Sequence, residues 1–311
     1  MRSFVGLLLL ILLGLILLGS LSSLHPGYAA FLGAGASSPI APAHTTSIYE
    51  QTVSTALLAQ QGCTAAQDVP GLIILDFGAP MYSNGRFGTH LFSGTFASDA
   101  RILAALKSFV DGAWNCHSDS TNLKIAIGTT NYNRLPDGNT GKWYQAGTDW
   151  GGLVDSVQQY IANNGYDGQL TAYGADDIEV AWASYSETAS FVNGYHAATT
   201  QLLVDFGDDP GGANPSPWTA EQLWEVSSGS PNSAILPEIY FNDVATMDWE
   251  VFDSWACAHK GTALPIIGVI TEYPYENSLS PDDAWVALYS AMGNDDCTAQ
   301  ARSGLTYLTN I

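Results

Sequence analysis

The chain has 311 residues, with 30 Asp+Glu against 9 Lys+Arg and a formal net charge of −21. Charged residues make up 13% of it, about half the usual share. Such a chain repels nucleic acid and anionic lipid, which need basic patches, and it suits a neutral or cationic partner.

Residues 1–36 read as a targeting segment. Phe4 to Leu24 carries no charge, and Arg2 precedes it as a short positive region. The run is an export signal peptide or an uncleaved N-terminal membrane anchor. Ala34-Gly35-Ala36 offers a small-residue cleavage site, and Tyr28-Ala29-Ala30 a poorer one. In either case the remainder is expected outside the cytoplasm, secreted or anchored on the outer side of the cytoplasmic membrane. Membrane contact is then confined to this segment, if it is uncleaved. Residues 37–62 read as a linker and a short helix: 25–46 are rich in Gly, Ala, Ser and Pro, and 46–61 carry a weak amphipathic pattern.

Residues 63–311 read as one α/β domain. Strand-like runs occur at 71–76, 123–129, 169–174, 202–206, 235–241, 265–271 and 304–309. Helical patterns fall between most of them, at 97–114, 148–164, 187–200, 219–227, 244–259 and 281–292. Ser98-Asp99, Thr219 and Ser280-Pro281 supply helix starts. Alternating strands and helices imply a parallel sheet with right-handed crossovers. Seven recognisable runs predict a single (β/α)8-like TIM barrel with one strand missing or irregular. An open doubly wound sheet is the alternative.

The four cysteines, Cys63, Cys116, Cys257 and Cys297, form no C-x-x-C pair and no zinc spacing with histidine. Both Cys63 and Cys116, and both Cys257 and Cys297, fall near the N-terminal rim of the strands. The expected bonds are 63–116 and 257–297, each worth up to about 4 kcal/mol in lost loop entropy. No G-x-S-x-G elbow, phosphate-binding glycine loop or H-E-x-x-H is present. Neither cofactor nor metal is expected. Asp205 to Gly212 could offer oxygen ligands to Ca²⁺ but lacks EF-hand spacing, and is read as a solvated acidic turn.

The chemistry concentrates where strands end. Asp76 closes the first recognised run, Asp177 and Glu179 close the third, and Glu238 and Glu272 end the fifth and sixth. Ligands of parallel α/β folds bind at those carboxyl ends, and paired carboxylates perform glycoside hydrolysis. Any one acid could instead cap a helix or pair with a cation, but few cations are available. In Asp176-Asp177-Ile178-Glu179, Asp177 and Glu179 point to one face and Asp176 to the other. A carboxylate beside another raises one pKa, which keeps a general acid protonated near neutral pH. Tyr132, Trp182, Tyr240, Asn242 and Tyr273 follow strands and are candidate glycan-binding residues; aromatic faces with polar rims suit sugar rings. Asn131 lies in the same loop as Tyr132.

An exported barrel with Leu75-Asp76 at a strand end and Asp177-Ile178-Glu179 later resembles the glycoside hydrolase-like barrels related to family-25 lysozymes. The resemblance implies that Glu179 is the proton donor, with Asp76 and Asp177 as supporting carboxylates. The D-x-E follows the third recognised strand, whereas that family uses the fourth. Glu238 and Glu272 stand where that family has a further late-strand Asp. The chain also resembles secreted bacterial proteins with a D-I-E-x-x-W segment, here Asp177 to Trp182, for which the resemblance supplies no activity.

The sequence therefore predicts an extracellular glycoside hydrolase acting on a polysaccharide or cell-wall glycan by carboxylate acid/base catalysis. Glu179 is the expected acid, and Asp177, Asp76, Glu238 and Glu272 are candidates for base, nucleophile or electrostatic support. The alternatives are a non-catalytic glycan-binding barrel and a structural envelope protein.

Overall fold

The computed structural model describes residues 39–67, 70–136, 138–208, 211–293 and 296–311. The expectations for Phe4–Leu24 and for both cleavage sites lie outside these residues. Among them, eight parallel strands form a closed ring. Strand β1 comes in two pieces, Thr45–Thr46 and Ile48–Tyr49. The others are β2 (Gly71–Asp76), β3 (Leu123–Thr130), β4 (Leu170–Asp177), β5 (Leu203–Asp205), β6 (Ser233–Ile235), β7 (Gly268–Thr271) and β8 (Tyr307–Asn310). The second piece of β1 pairs with β2, and the ladder continues through β3, β4 and β5 to β6. The first piece pairs with β8, which pairs with β7. Parallel bridges between Ile235 and Ile266, and between Glu238 and Ile270, join β6 to β7 and complete the circuit.

Helices α1 (Thr55–Gln67), α2 (Asp99–Asn115), α3 (Thr140–Asn163), α4 (Tyr185–Ala198), α5 (Ala220–Ser227), α6 (Glu250–Lys260) and α7 (Pro281–Ala291) each return the chain to the next strand. A π-helical turn over Val244–Trp249 leads directly into α6. Local sequence sets these ends. Ser184 with Glu187, and Thr219 with Gln222, form capping boxes that satisfy orphan helix N–H groups. Pro281 opens α7 behind the Ser280 cap. Gly261 closes α6 at φ 75°, a conformation that favours glycine. Helices α3 and α4 pack closely because a Cβ on Gly147 would stand 2.0 Å from the Phe191 carbonyl oxygen.

Alternation along the strands divides the interior in two. Leu72, Ile74, Ala126, Ala175, Val204, Phe206, Leu236 and Ile270 form one cluster inside the barrel. Ile73, Leu75, Ile125, Ile127 and Ala172 turn outward into the larger layer beneath the helices. On β2, therefore, Asp76 shares the inner face with Leu72 and Ile74. On β4, Asp177 shares it with Ala175, while Asp176 faces the other way beside its register partner Asp205.

Two features differ from the sequence expectations. Residues 45–49 form β1, where a linker and the start of a helix were expected, and the helix itself spans 55–67. The reason is chemical: the inward side chains of β1 are polar and pair within the barrel. Ser47 Oγ lies 2.7 Å from Thr309 Oγ1 and accepts the Ile74 N–H at 2.8 Å. An apolar run is therefore absent. Between β2 and α2 the chain also makes an antiparallel excursion, Ala79–Ser83, Arg86–His90 and Phe96–Ser98. Its first turn uses Asn84 and Gly85, both at positive φ, a hairpin signal.

Disulfides join Cys63 to Cys116 and Cys257 to Cys297. Cys63 lies in α1 and Cys116 caps α2; Cys257 lies in α6 and Cys297 precedes the 3₁₀ turn Thr298–Gly304. The bonds suggest an oxidising, extracytoplasmic setting. No helix among the described residues is long and apolar enough to cross a membrane.

Candidate active site

With β1 counted, Asp76 ends the second strand and the D-x-E ends the fourth. The carboxyl ends of β2, β4, β6 and β7 deliver Asp76, Asp177, Glu179, Glu238 and Glu272 to one mouth. Asp76 and Asp177 close their strands on the inner face. Glu179 stands two residues beyond β4, Glu238 is bridged to Ile270, and Glu272 follows Thr271. Among the described residues none of the five is ion-paired with a lysine or arginine; the ion pair found there, Lys260 with Glu221, joins two helices.

Burial and mutual repulsion therefore dominate this site. Asp76 is fully buried, which pushes its carboxyl up to about 7 although the Gly78 N–H donates to Oδ1 at 2.8 Å. Burial also raises Asp177 well above the usual carboxylate range, and the charges of Glu238, Glu179, Asp76 and Asp176 add to the rise. Glu238 is raised by burial, against a hydrogen bond from Tyr240, and further by Glu179, Asp208 and Glu272. Glu179 moves up to about 7, through burial first and Asp208 second, while the Asp208 N–H donates to its Oε1 at 3.2 Å and opposes the rise. Oδ1 of Asp177 and Oδ2 of Asp76 are buried without a hydrogen-bond donor. The arrangement can hold protons near neutral pH at several adjacent carboxyls.

Three neighbours complete the mouth that the sequence expectations did not assign to it. Tyr49, on the unrecognised first strand, donates its hydroxyl to Glu272 Oε1 at 3.0 Å. Its own hydroxyl is held protonated by burial and by Glu238, Asp177, Glu272 and Asp76. Asn131 is buried and bonds both backbone groups of Glu179. Asp208 approaches Glu179 and Glu238, so it does not belong to a solvated turn. Asp205 is likewise buried, its Oδ1 accepting the Gly207 N–H at 3.1 Å, and is raised to about 7 by burial. No group of three or more His, Cys, Asp or Glu among the described residues is placed to hold a metal ion.

The candidate glycan-binding residues separate into groups. Tyr132 and Trp182 meet edge to face, with centroids 5.7 Å apart. They line a pocket of about 300 Å³ with Gly78, Thr130, His90, Phe92 and Arg134. This pocket abuts the acids: Gly78 bonds Asp76, and Thr130 is the register partner of Asp177. Tyr240 bonds Glu238 within the mouth. Tyr273 is exposed at the rim, where its backbone exchanges hydrogen bonds of 2.8 and 2.9 Å with the Asn310 side chain. Asn242 is not brought to the acids; it lines a separate groove of about 700 Å³ along α7 with Leu279, Asp283 and Ser290.

No protein-family profile matches this chain, and no curated protein does. Among solved structures it is similar to a GH5-4 broad specificity endoglucanase from an uncultured bacterium, at 10% identity and a TM-score of 0.42. That similarity covers 81% of this chain and 76% of the other.

Proposed function

We propose that the barrel is an extracellular glycoside hydrolase whose mouth acids cleave a polysaccharide or cell-wall glycan. The observation that carries this reading is the convergence of Asp76, Asp177, Glu179, Glu238 and Glu272 on one mouth without an ion-paired cation. Glycoside hydrolysis needs one protonated and one ionised carboxyl flanking the scissile bond. Glu179 is the acid. It lies nearest the opening of the D-x-E pair, is half-buried, and keeps its proton up to about pH 7. It would protonate the glycosidic oxygen as the bond to the anomeric carbon breaks. Glu272, which accepts the Tyr49 hydroxyl at 3.0 Å, is the candidate second carboxyl, as nucleophile or as the base that takes a proton from attacking water. Burial, Asp208 and Asp205 keep Glu179 protonated, and Asp177 and Glu238 stand beside it as further buried acids.

The test is a hydrolysis screen of the purified protein on plant, fungal and bacterial polysaccharides across acid to neutral pH, with Glu179→Gln alongside. Cleavage lost in the variant supports the reading. Binding without cleavage would assign a glycan-binding barrel. Neither binding nor cleavage of any glycan would remove the proposal.

A further inference from the structure

The mouth carries more carboxyls than acid/base hydrolysis requires. Two acids suffice for the chemistry, yet Asp76, Asp177, Glu179, Glu238 and Glu272 all converge, with Asp208 beside them. Tyr49 and Tyr240 also face them, and the buried carboxyls of Asp176, Asp205 and Glu50 lie near enough to interact. Arg134 and His90 line the adjoining aromatic pocket, where the Arg134 guanidinium lies over the Tyr132 ring at 5.2 Å. Burying so many acids unpaired is costly, and the protein itself leaves Oδ1 of Asp177 and Oδ2 of Asp76 without donors. Both side chains are over nine-tenths buried and lie on the inner barrel face at the mouth. An ionised Asp177 needs a donor there, which a ligand can bring, and the surrounding acids favour a positively charged one.

We infer that the glycan taken by this mouth carries free amino groups, so that the substrate class is a linear polyhexosamine with protonated, unacetylated amines. The inference rests on the glycan-cleft reading and narrows it. An ammonium seated beside Asp177 would supply up to three donors and stabilise ionised neighbours, so binding would release protons from carboxyls held protonated in the free protein. An acetylated amine offers one neutral N–H and a larger group, and a hydroxyl brings no charge. The overall charge of −21 acts in the same direction by attracting a polycation from a distance.

The test uses full-length Glu179→Gln, which keeps four of the five mouth carboxyls and would leave the ligand uncleaved. Calorimetry at about pH 6, in two buffers of different ionisation heat, compares glucosamine oligomers with N-acetylglucosamine and glucose oligomers of the same length. The expected result is at least tenfold tighter binding of the amine oligomers, with proton release and a fall in affinity as salt rises. Adding Asp177→Asn should weaken the amine oligomers by a larger factor than the acetylated or glucose oligomers. Equal or tighter binding of the acetylated or neutral oligomers would overturn the inference while leaving the glycan reading intact. Failure of all three classes to bind would overturn the inference, and the glycan reading would then rest on the wider polysaccharide screen.

Discussion

Asn131 grips Glu179 by its backbone: Nδ2 donates to the Glu179 carbonyl at 2.9 Å, and Oδ1 accepts the Glu179 N–H at 3.0 Å. The same Nδ2 reaches Thr188 Oγ1 at 3.1 Å, tying the loop to α4. Glu179 lies beyond the end of β4, where the ladder no longer fixes the chain, so this side chain does the fixing. Asn131→Ala should leave the Glu179 N–H unpaired, at about 1–3 kcal/mol, while the Glu179 carbonyl keeps the Trp182 N–H at 3.1 Å. We expect a drop in kcat of about tenfold or more with KM little changed, and a displaced alkaline limb in the pH profile. A variant that only loses thermal stability, with kcat and its pH dependence intact, would give Asn131 no positioning role.

Acidity should stabilise the fold. Burial raises Glu50, Asp76, Asp99, Glu179 and Asp205 to about 7, from ordinary values of 4.5 or 3.8. The folded chain therefore holds protons that the unfolded chain has lost between about pH 4 and 7. The stabilisation is complete below the unfolded values and is lost as pH rises through about 7, at roughly 1.4 kcal/mol per pH unit for each group. Thermal unfolding should give a higher Tm near pH 4.5 than near pH 7.5. A Tm that is flat or rising over that interval would contradict the assignment of protonated buried acids.

Aromatic side chains flank the acids on two sides. Tyr132 and Trp182 follow β3 and β4, while Tyr273 follows β7, across the eight-stranded ring from β3. A glycan chain laid across the mouth would contact both groups, so cleavage should occur within chains. Viscosity should fall faster than reducing ends appear. Trp182→Ala and Tyr273→Ala should each cost about fivefold or more in affinity for long oligomers, in line with buried aromatic anchors, and less for short ones. Release of single sugars from chain ends alone would show that one side is closed.

The disulfides hold the scaffold at the end of the barrel away from the mouth. Cys257→Ser with Cys297→Ser should lower stability by about 2–5 kcal/mol while leaving kcat/KM near the wild-type value at temperatures where the variant is folded. A selective loss of kcat/KM in folded protein would tie this bond to the site.

The sequence exposed the parts of the fold that bury apolar side chains on both faces. Gly71–Asp76 reads as a strand because every position is buried, and its terminal Asp stands out. Strand β1 is hidden because its inward residues, Thr45, Ser47 and Tyr49, are polar and satisfied by Leu72, Thr309 and Glu272 from elsewhere in the chain. Missing it displaced the D-x-E from the fourth strand to the third. Asn84-Gly85 is a hairpin signature that the sequence expectations did not include, because its flanks, Met81-Tyr82 and Phe87-Gly88, alternate weakly. The strand-end acids were legible from position alone. Asp208 was not, since an acidic turn looks the same whether it faces solvent or folds back onto Glu179.

The most direct measurement is kcat/KM of Glu179→Gln against wild type on two substrates of one glycan type, the natural linkage and an aryl glycoside with a good leaving group. A general acid protonates a poor leaving group and is dispensable for a good one. The account predicts a loss of about 10²–10⁴ on the natural linkage and a much smaller loss on the aryl glycoside. Wild-type activity in the variant, or equal losses on both substrates, would contradict it.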